Sequence, residues 1–161
     1  MFPDRTKHAP GITAPMTAGT GLLLMLFFTG CGHQGPPTID YGKTECAFCR
    51  MNVMDRQFAA AITTVKGRTY AFDSPECMVG DVAAGNIAED QVQGWWVSDH
   101  AHPGTLIDAT KAFYLHADAL HSPMNGNTAA FATSDDRAMA LKSTPGEALD
   151  WSGARTSLSD K

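Results

Sequence analysis

The sequence has little basic charge. Its 12 Lys and Arg are outnumbered by 17 Asp and Glu, giving a formal net charge of -5. No stretch gathers Lys and Arg into a patch, which excludes a partner held by its phosphate backbone. The sequence also lacks a long apolar run. "GLLLMLFF" is far short of the roughly 20 residues that span a bilayer. Cysteine is scarce, with 4 in 161 residues. There is a single CxxC, "CAFC". A structural zinc site usually takes four Cys or His ligands from two such knuckles. None of the 6 histidines has knuckle spacing. What remains is an ordinary globular composition, 43% hydrophobic and 18% charged, enough for one compact domain.

The first 30 residues read as a targeting segment. Arg5 and Lys7 precede the short apolar run, whose length suits a secretory h-region. "FTGC" then resembles a lipobox, with Cys31 as the residue to be lipidated, although Phe28 stands where Leu is usual. The plainer reading is an ordinary signal peptide with an incidental cysteine. Removing residues 1–30 takes away a net +1 and leaves -6. It also leaves Cys46, Cys49 and Cys77 beside Cys31. With Cys31 lipidated, that odd count excludes a purely intrachain disulfide framework.

The Gly- and Pro-rich stretch 31–43 reads as a tether, and the fold is expected over 44–152. "RQFAAAITT" and "TYAFD" flank a turn at Gly67, which predicts a hairpin over 57–73. "DSPE" opens a helix: Ser74 caps, Pro75 suits the first position and Glu76 complements the dipole. That helix should end near Gly85, with Gly80 weakening it by about 1 kcal/mol relative to Ala. "GWWVSD" and "KAFYLHA" read as strands, "SPMNGN" as a loop, and "TAAFATSDD" as a strand followed by a helix capped by Ser134. The order repeats. The expected class is therefore α+β, with two small, weakly similar β-β-α(-β) units over about 44–90 and 91–152. A loose polar tail is expected over 153–161.

The CxxC admits several readings. A thioredoxin-type site would need a preceding strand and a helix N-terminus, and neither is legible here. A Cys46–Cys49 disulfide is the bland reading. Five methionines follow residue 31: Met51, Met54, Met78, Met124 and Met139. A methionine is usually core filling, and Met54 and Met139 read that way. Met51, two residues after Cys49, shares a face with it in an extended segment. Met78 adjoins Cys77. Met124 sits in a loop, where core methionines are seldom found. Thiolate with thioether is a soft donor set that favours Cu(I). Thioethers bind without losing a proton and cannot form disulfides. His100 and His102 read as solvent-exposed.

"CAFCRM", "YAFDSPECM" and "SPMNGNTAAF" with its following acidic helix resemble the NosL family, over roughly Cys46 to Trp151. That family consists of membrane-anchored bacterial lipoproteins that serve nitrous oxide reductase. The resemblance implies a fold of two related β-β-α-β units and a non-enzymatic copper(I) chaperone. It implies metal ligands Cys49, Met51, Met78 and Met124, with Cys46 auxiliary. It implies delivery to the membrane ABC-transporter complex that matures the reductase, from a lipid-anchored position facing the periplasm (on the outer membrane in a Gram-negative cell). The family commonly has Gly where this chain has Arg50, a substitution that matters if the position needs φ > 0. The rival enzymatic reading is a membrane-anchored thiol-disulfide oxidoreductase using Cys46 and Cys49. A third is an adaptor lipoprotein whose cysteines merely pair.

Overall fold

The computed structural model describes residues 35–159. The expected signal segment 1–30, the lipidation candidate Cys31 and residues 160–161 lie outside the described residues. The elements run β1 (Ala60–Thr64), β2 (Thr69–Phe72), α1 (Pro75–Ala83), a 3-10 turn at Glu89–Gln91, β3 (Val92–Ser98), β4 (Leu106–Asp108), β5 (Phe113–His116), β6 (Thr128–Phe131), α2 (Ser134–Ser143), β7 (Glu147–Leu149) and α3 (Trp151–Ser159). No helix among the described residues is long and apolar enough to cross a membrane.

Two antiparallel sheets form, ordered β2-β1-β3-β4 and β6-β5-β7. The first three strands of each follow one rule. A hairpin is made, a helix crosses, and the next strand returns beside the first strand of the hairpin. The expected pair of related β-β-α-β units is therefore present. Their boundary is not at residue 90. β3 pairs with β1 from Ala60–Val97 to Thr64–Val92, and β4 adds outside it, so both belong to the first unit. Backbone pairing, which the sequence pattern did not reveal, decides this.

Local chemistry explains both helix starts. Ser74 is extended and its hydroxyl accepts from the Cys77 N–H, with Pro75 in the first turn. In the second unit the cap is Thr133, not Ser134. Thr133 is extended (φ -126, ψ 152) and accepts from the Asp136 N–H at 3.1 Å. Phe72, Asp73 and Ser74 thus correspond to Phe131, Ala132 and Thr133, and Cys77 corresponds to Asp136.

Phe72, Ile62, Val97, Met78 and Tyr114 are fully enclosed in the main core. All five residues of β1 are buried, so the strand is covered on both faces rather than one. A smaller cluster of Phe58, Leu115, Ala117, Ala129 and Phe131 underlies the second sheet. Asp99 bridges to Ala130 in parallel, and the His100 N–H donates to Ala130 O at 2.8 Å, which joins β3 to β6.

Two ends depart from expectation. Order begins before residue 44: Ile39 is buried, and Gly42 N–H donates to Val53 O at 2.9 Å. The tail is not loose through residue 159. Residues from Trp151 form α3, with Ala154 and Leu158 buried. Trp151, Ala154 and Leu158 lie at i, i+3 and i+7, one helical face. Met139, expected in the core, is 61% exposed on α2.

Candidate metal centre

The segment before β1 folds into a closed loop. Glu45 bridges Asn52 in antiparallel fashion, Cys46 N–H donates to Met51 O at 2.7 Å, and Arg50 N–H donates to Cys46 O at 3.1 Å. Reversing the chain this tightly puts Arg50 at φ 67, in the left-handed region. The concern raised by Arg at this position is therefore real. Its side chain reaches Glu45 at 3.5 Å.

The loop docks on the first unit at two points. Ala47 N–H donates to Ala71 O of β2 at 2.9 Å. The Phe48 ring lies where a Cβ on Gly80 would meet it at 3.3 Å, so the glycine in the middle of α1 leaves room for the loop.

This docking brings three thiols together. The Sγ atoms of Cys46, Cys49 and Cys77 all lie within 4.8 Å of one another, close to the span of two metal–sulfur bonds of about 2.3 Å each. All three are free thiols. Cys46 and Cys77 are buried and Cys49 is half-buried, so the cluster opens toward solvent through Cys49. Cys77 is the member that the sequence reading left out of the ligand set. Its signal was available in the odd thiol count and in its place at the start of a capped helix.

The thiols are electrostatically unequal. The Cys77 S–H donates to Cys46, which pulls the Cys46 thiol down to about 5; burial opposes this, and the N–H groups of Asp73, Cys49 and Phe48 assist. Cys77 is correspondingly pushed up, first by that shared proton and then by burial. Burial also raises Cys49, against the Met51 N–H that lowers it. The cluster thus favours one thiolate, which N–H groups of its own loop stabilise. A metal ion has one proton fewer to displace. Asp73, buried beside Cys46, has its carboxyl raised by burial, against a bond from the Met54 N–H, and raised further by Cys46, Asp55 and Glu76. Acidic groups thus gather at this pocket, which suits a cation.

The expected thioethers occupy three different settings. Met51 belongs to the loop itself and is 56% exposed. Met78 follows Cys77 on α1 and is 0% exposed, within the core cluster that also holds Cys46 and Cys77. Met124 is 40% exposed on the 122–127 loop. That loop is fastened to α1 by Glu76, whose Oε1 accepts from Gly126 N–H at 2.6 Å and from the Ser122 hydroxyl. Met54, expected as core filling, is instead 67% exposed, and its sulfur lies 3.8 Å from where a Cβ on Gly42 would stand.

Of the two histidines expected in solvent, only His102 is there. It pairs with the buried Asp99 at 2.8 Å, which raises its pKa. His100 is half-buried between the rings of Phe58 and Phe131, and burial lowers its pKa.

The arrangement suits binding better than thiol catalysis. Cys49, the thiol nearest solvent, is shifted away from thiolate, whereas a redox nucleophile needs the opposite shift. The activated thiolate, Cys46, is enclosed. A soft cation would find three sulfurs at hand.

No curated protein sequence matches the chain. Its fold is similar to that of a solved structure, the copper chaperone NosL from Shewanella denitrificans, with a TM-score of 0.60 and 16% sequence identity over 73% of this chain and 93% of that one. The NosL family model matches residues 38–154, from the first ordered turn to α3, and the chain belongs to the NosL family.

Proposed function

We propose that the protein is a copper(I) chaperone, with copper as cargo and not as the cofactor of a reaction. The observation that carries the reading is the packed triad of Cys46, Cys49 and Cys77. Family membership and the fold shared with a copper chaperone support it. Cys49 and Met51 form the exchangeable, solvent-facing part of the site. Met78 and Met124 supply further thioethers, and Cys46 with Cys77 supplies the charge. Neutral thioethers hold Cu(I) while leaving it exchangeable, which suits handing it on.

In this reading the chain is lipidated at Cys31, faces the periplasm and passes copper to the membrane ABC-transporter complex that assembles the copper centres of nitrous oxide reductase. Cells lacking the protein would make a copper-deficient reductase, and restoring the chain would restore metal content. Normal copper content in such cells would remove the delivery role. The metal itself is tested by anaerobic addition of Cu(I) to the reduced protein. One tightly held copper per chain is expected; no uptake after full reduction would overturn the reading in favour of an adaptor. Disulfide reduction in an insulin assay that depends on Cys49 and is indifferent to Met124 would favour the oxidoreductase.

A further inference from the structure

Glu76 has a role that its place in the first turn of α1 does not require. A carboxylate there complements the helix dipole, and solvent exposure would serve that purpose. Glu76 is instead 7% exposed. Its Oε1 takes the Gly126 N–H at 2.6 Å and the Ser122 hydroxyl, and Ser122 Oγ in turn accepts from Asn127 N–H at 2.9 Å. Its Oε2 is buried with no hydrogen-bond partner among the described residues.

The 122–127 loop is shaped around this carboxylate. A Cβ on Gly126 would lie 2.3 Å from the Glu76 carboxyl carbon, so any other residue there would push the carboxylate out of its place. Asn125 and Asn127 on either side adopt positive φ, 58 and 50. Asn125 N–H closes back on Ser122 O at 3.0 Å, and Thr128 Oγ1 donates to Gly126 O at 2.9 Å. Met124 rides on the loop so held. The residue after Glu76 is Cys77, a member of the thiol cluster.

We infer that Glu76 is the positioning residue that fixes Met124 relative to the thiol cluster, and so makes one copper site from parts of the two structural units. The inference rests on the copper reading above and deepens it. Cys77 ties α1 to the cluster, and Glu76, one residue earlier, ties the second unit's loop to α1. Loss of the carboxylate leaves Met124 on a loop whose Gly126 amide and Ser122 hydroxyl have lost their common anchor.

The test is an anaerobic Cu(I) titration of the reduced protein against a competing chelator, with Glu76→Ala, Glu76→Gln, Met124→Ala and the Glu76→Ala/Met124→Ala double variant. Glu76→Ala is expected to weaken binding by about 10- to 100-fold, as loss of a residue that orients a ligand does. Met124→Ala should weaken it comparably, and the double variant should lose little more, because both changes remove one interaction. Glu76→Gln keeps an oxygen acceptor and should restore most of the affinity. X-ray absorption should count one thioether sulfur fewer on copper in Glu76→Ala. Independent, additive losses, or an unchanged sulfur count, would overturn the inference. Ser122→Ala removes a single hydroxyl and should give a several-fold loss even if Glu76→Ala folds poorly; unchanged affinity there would count against the clamp. If Met124→Ala leaves affinity intact, Met124 is no ligand and the copper-site reading fails at that residue. Exchange of the Gly126 amide separates the two failures: rapid exchange in Glu76→Ala shows the clamp to be real, and unaltered exchange shows that it is not.

Discussion

Arg50 carries a left-handed backbone in a loop that hydrogen bonds close from both sides. Replacing it tests whether that conformation is imposed by the fold. A residue with a Cβ at such a position costs about 1–2 kcal/mol, and glycine avoids the cost. Glycine in turn loses about 0.5–1 kcal/mol through the greater freedom of its unfolded chain. The Arg50–Glu45 pair, at 3.5 Å with both side chains mostly exposed, is worth about 0–1 kcal/mol and is lost in any substitution. The clean comparison is therefore Arg50→Gly against Arg50→Ala, in which the ion pair cancels. Glycine should be more stable than alanine by about 0.5–1 kcal/mol, which is about 2–5 °C in melting temperature. At an ordinary loop position the order would be reversed. Urea melts of the reduced, metal-free proteins give the difference directly. Alanine equal to or more stable than glycine would mean that the loop relaxes out of its left-handed turn, and that the closed geometry bringing Cys46 and Cys49 to Cys77 is not held in the absence of metal.

Four further outcomes are expected. Met78→Ala should destabilise the metal-free fold by about 2–5 kcal/mol, since the side chain is fully enclosed, whereas Met78→Leu should cost less than about 1.5 kcal/mol; reduced Cu(I) affinity in the stable Leu variant identifies the thioether as a ligand, and unchanged affinity makes it core alone. Thiolate absorbance of the reduced apo-protein should show one ionisation near pH 5, lost in Cys46→Ser and moved upward in Cys77→Ala, which lacks the S–H donor. Because Cys46 is depressed in the folded state, its contribution to stability is present above the unfolded thiol pKa and fades as pH falls toward 5; the stability gap between the unaltered protein and Cys46→Ser should therefore narrow on acidification from pH 8 to 5, and a gap that widened would contradict the shared proton. The His102 pKa, followed by NMR, should lie above the usual histidine value and fall in Asp99→Asn, and the stabilisation from the pair, present below the unfolded pKa, should be lost as pH rises through the folded one. Leu158→Ala should destabilise by about 2–5 kcal/mol in a denaturant melt, and a neutral result would return the C-terminal segment to a loose tail.

Local signals made much of the fold legible. Ser74-Pro75 marks the start of α1 because capping chemistry is short-range, and the turn at Gly67 marks the hairpin because a left-handed glycine is written in one letter. The repeat was visible in the similar sequences at Phe72 and Phe131, but its boundary was not. β3 joins β1 through backbone bonds that leave no residue signature, as the strand is apolar whichever sheet receives it. The tail was misread because its composition is polar, while the three residues that fix it, Trp151, Ala154 and Leu158, are few and spaced.

The site divides in the same way. Cys49 and Met51 belong to one short loop and could be read together. Cys77 joins them only after a hairpin and a helix start have been laid down, and the Glu76 clamp on the 122–127 loop crosses from one unit to the other. Arg50 is the case in which the sequence posed the right question, since the residue that looked out of place does hold a positive φ.

The central claim is that a soft-sulfur site built on Cys49 and Met51 holds Cu(I). It is tested most directly by anaerobic competition between the reduced protein and a Cu(I) chelator of known affinity, comparing the unaltered chain with a Cys49→Ser/Met51→Ala variant. The account predicts one tightly bound copper per chain and at least about a 100-fold loss in the variant, two ligands having been removed. Equal affinity in the two proteins would contradict it.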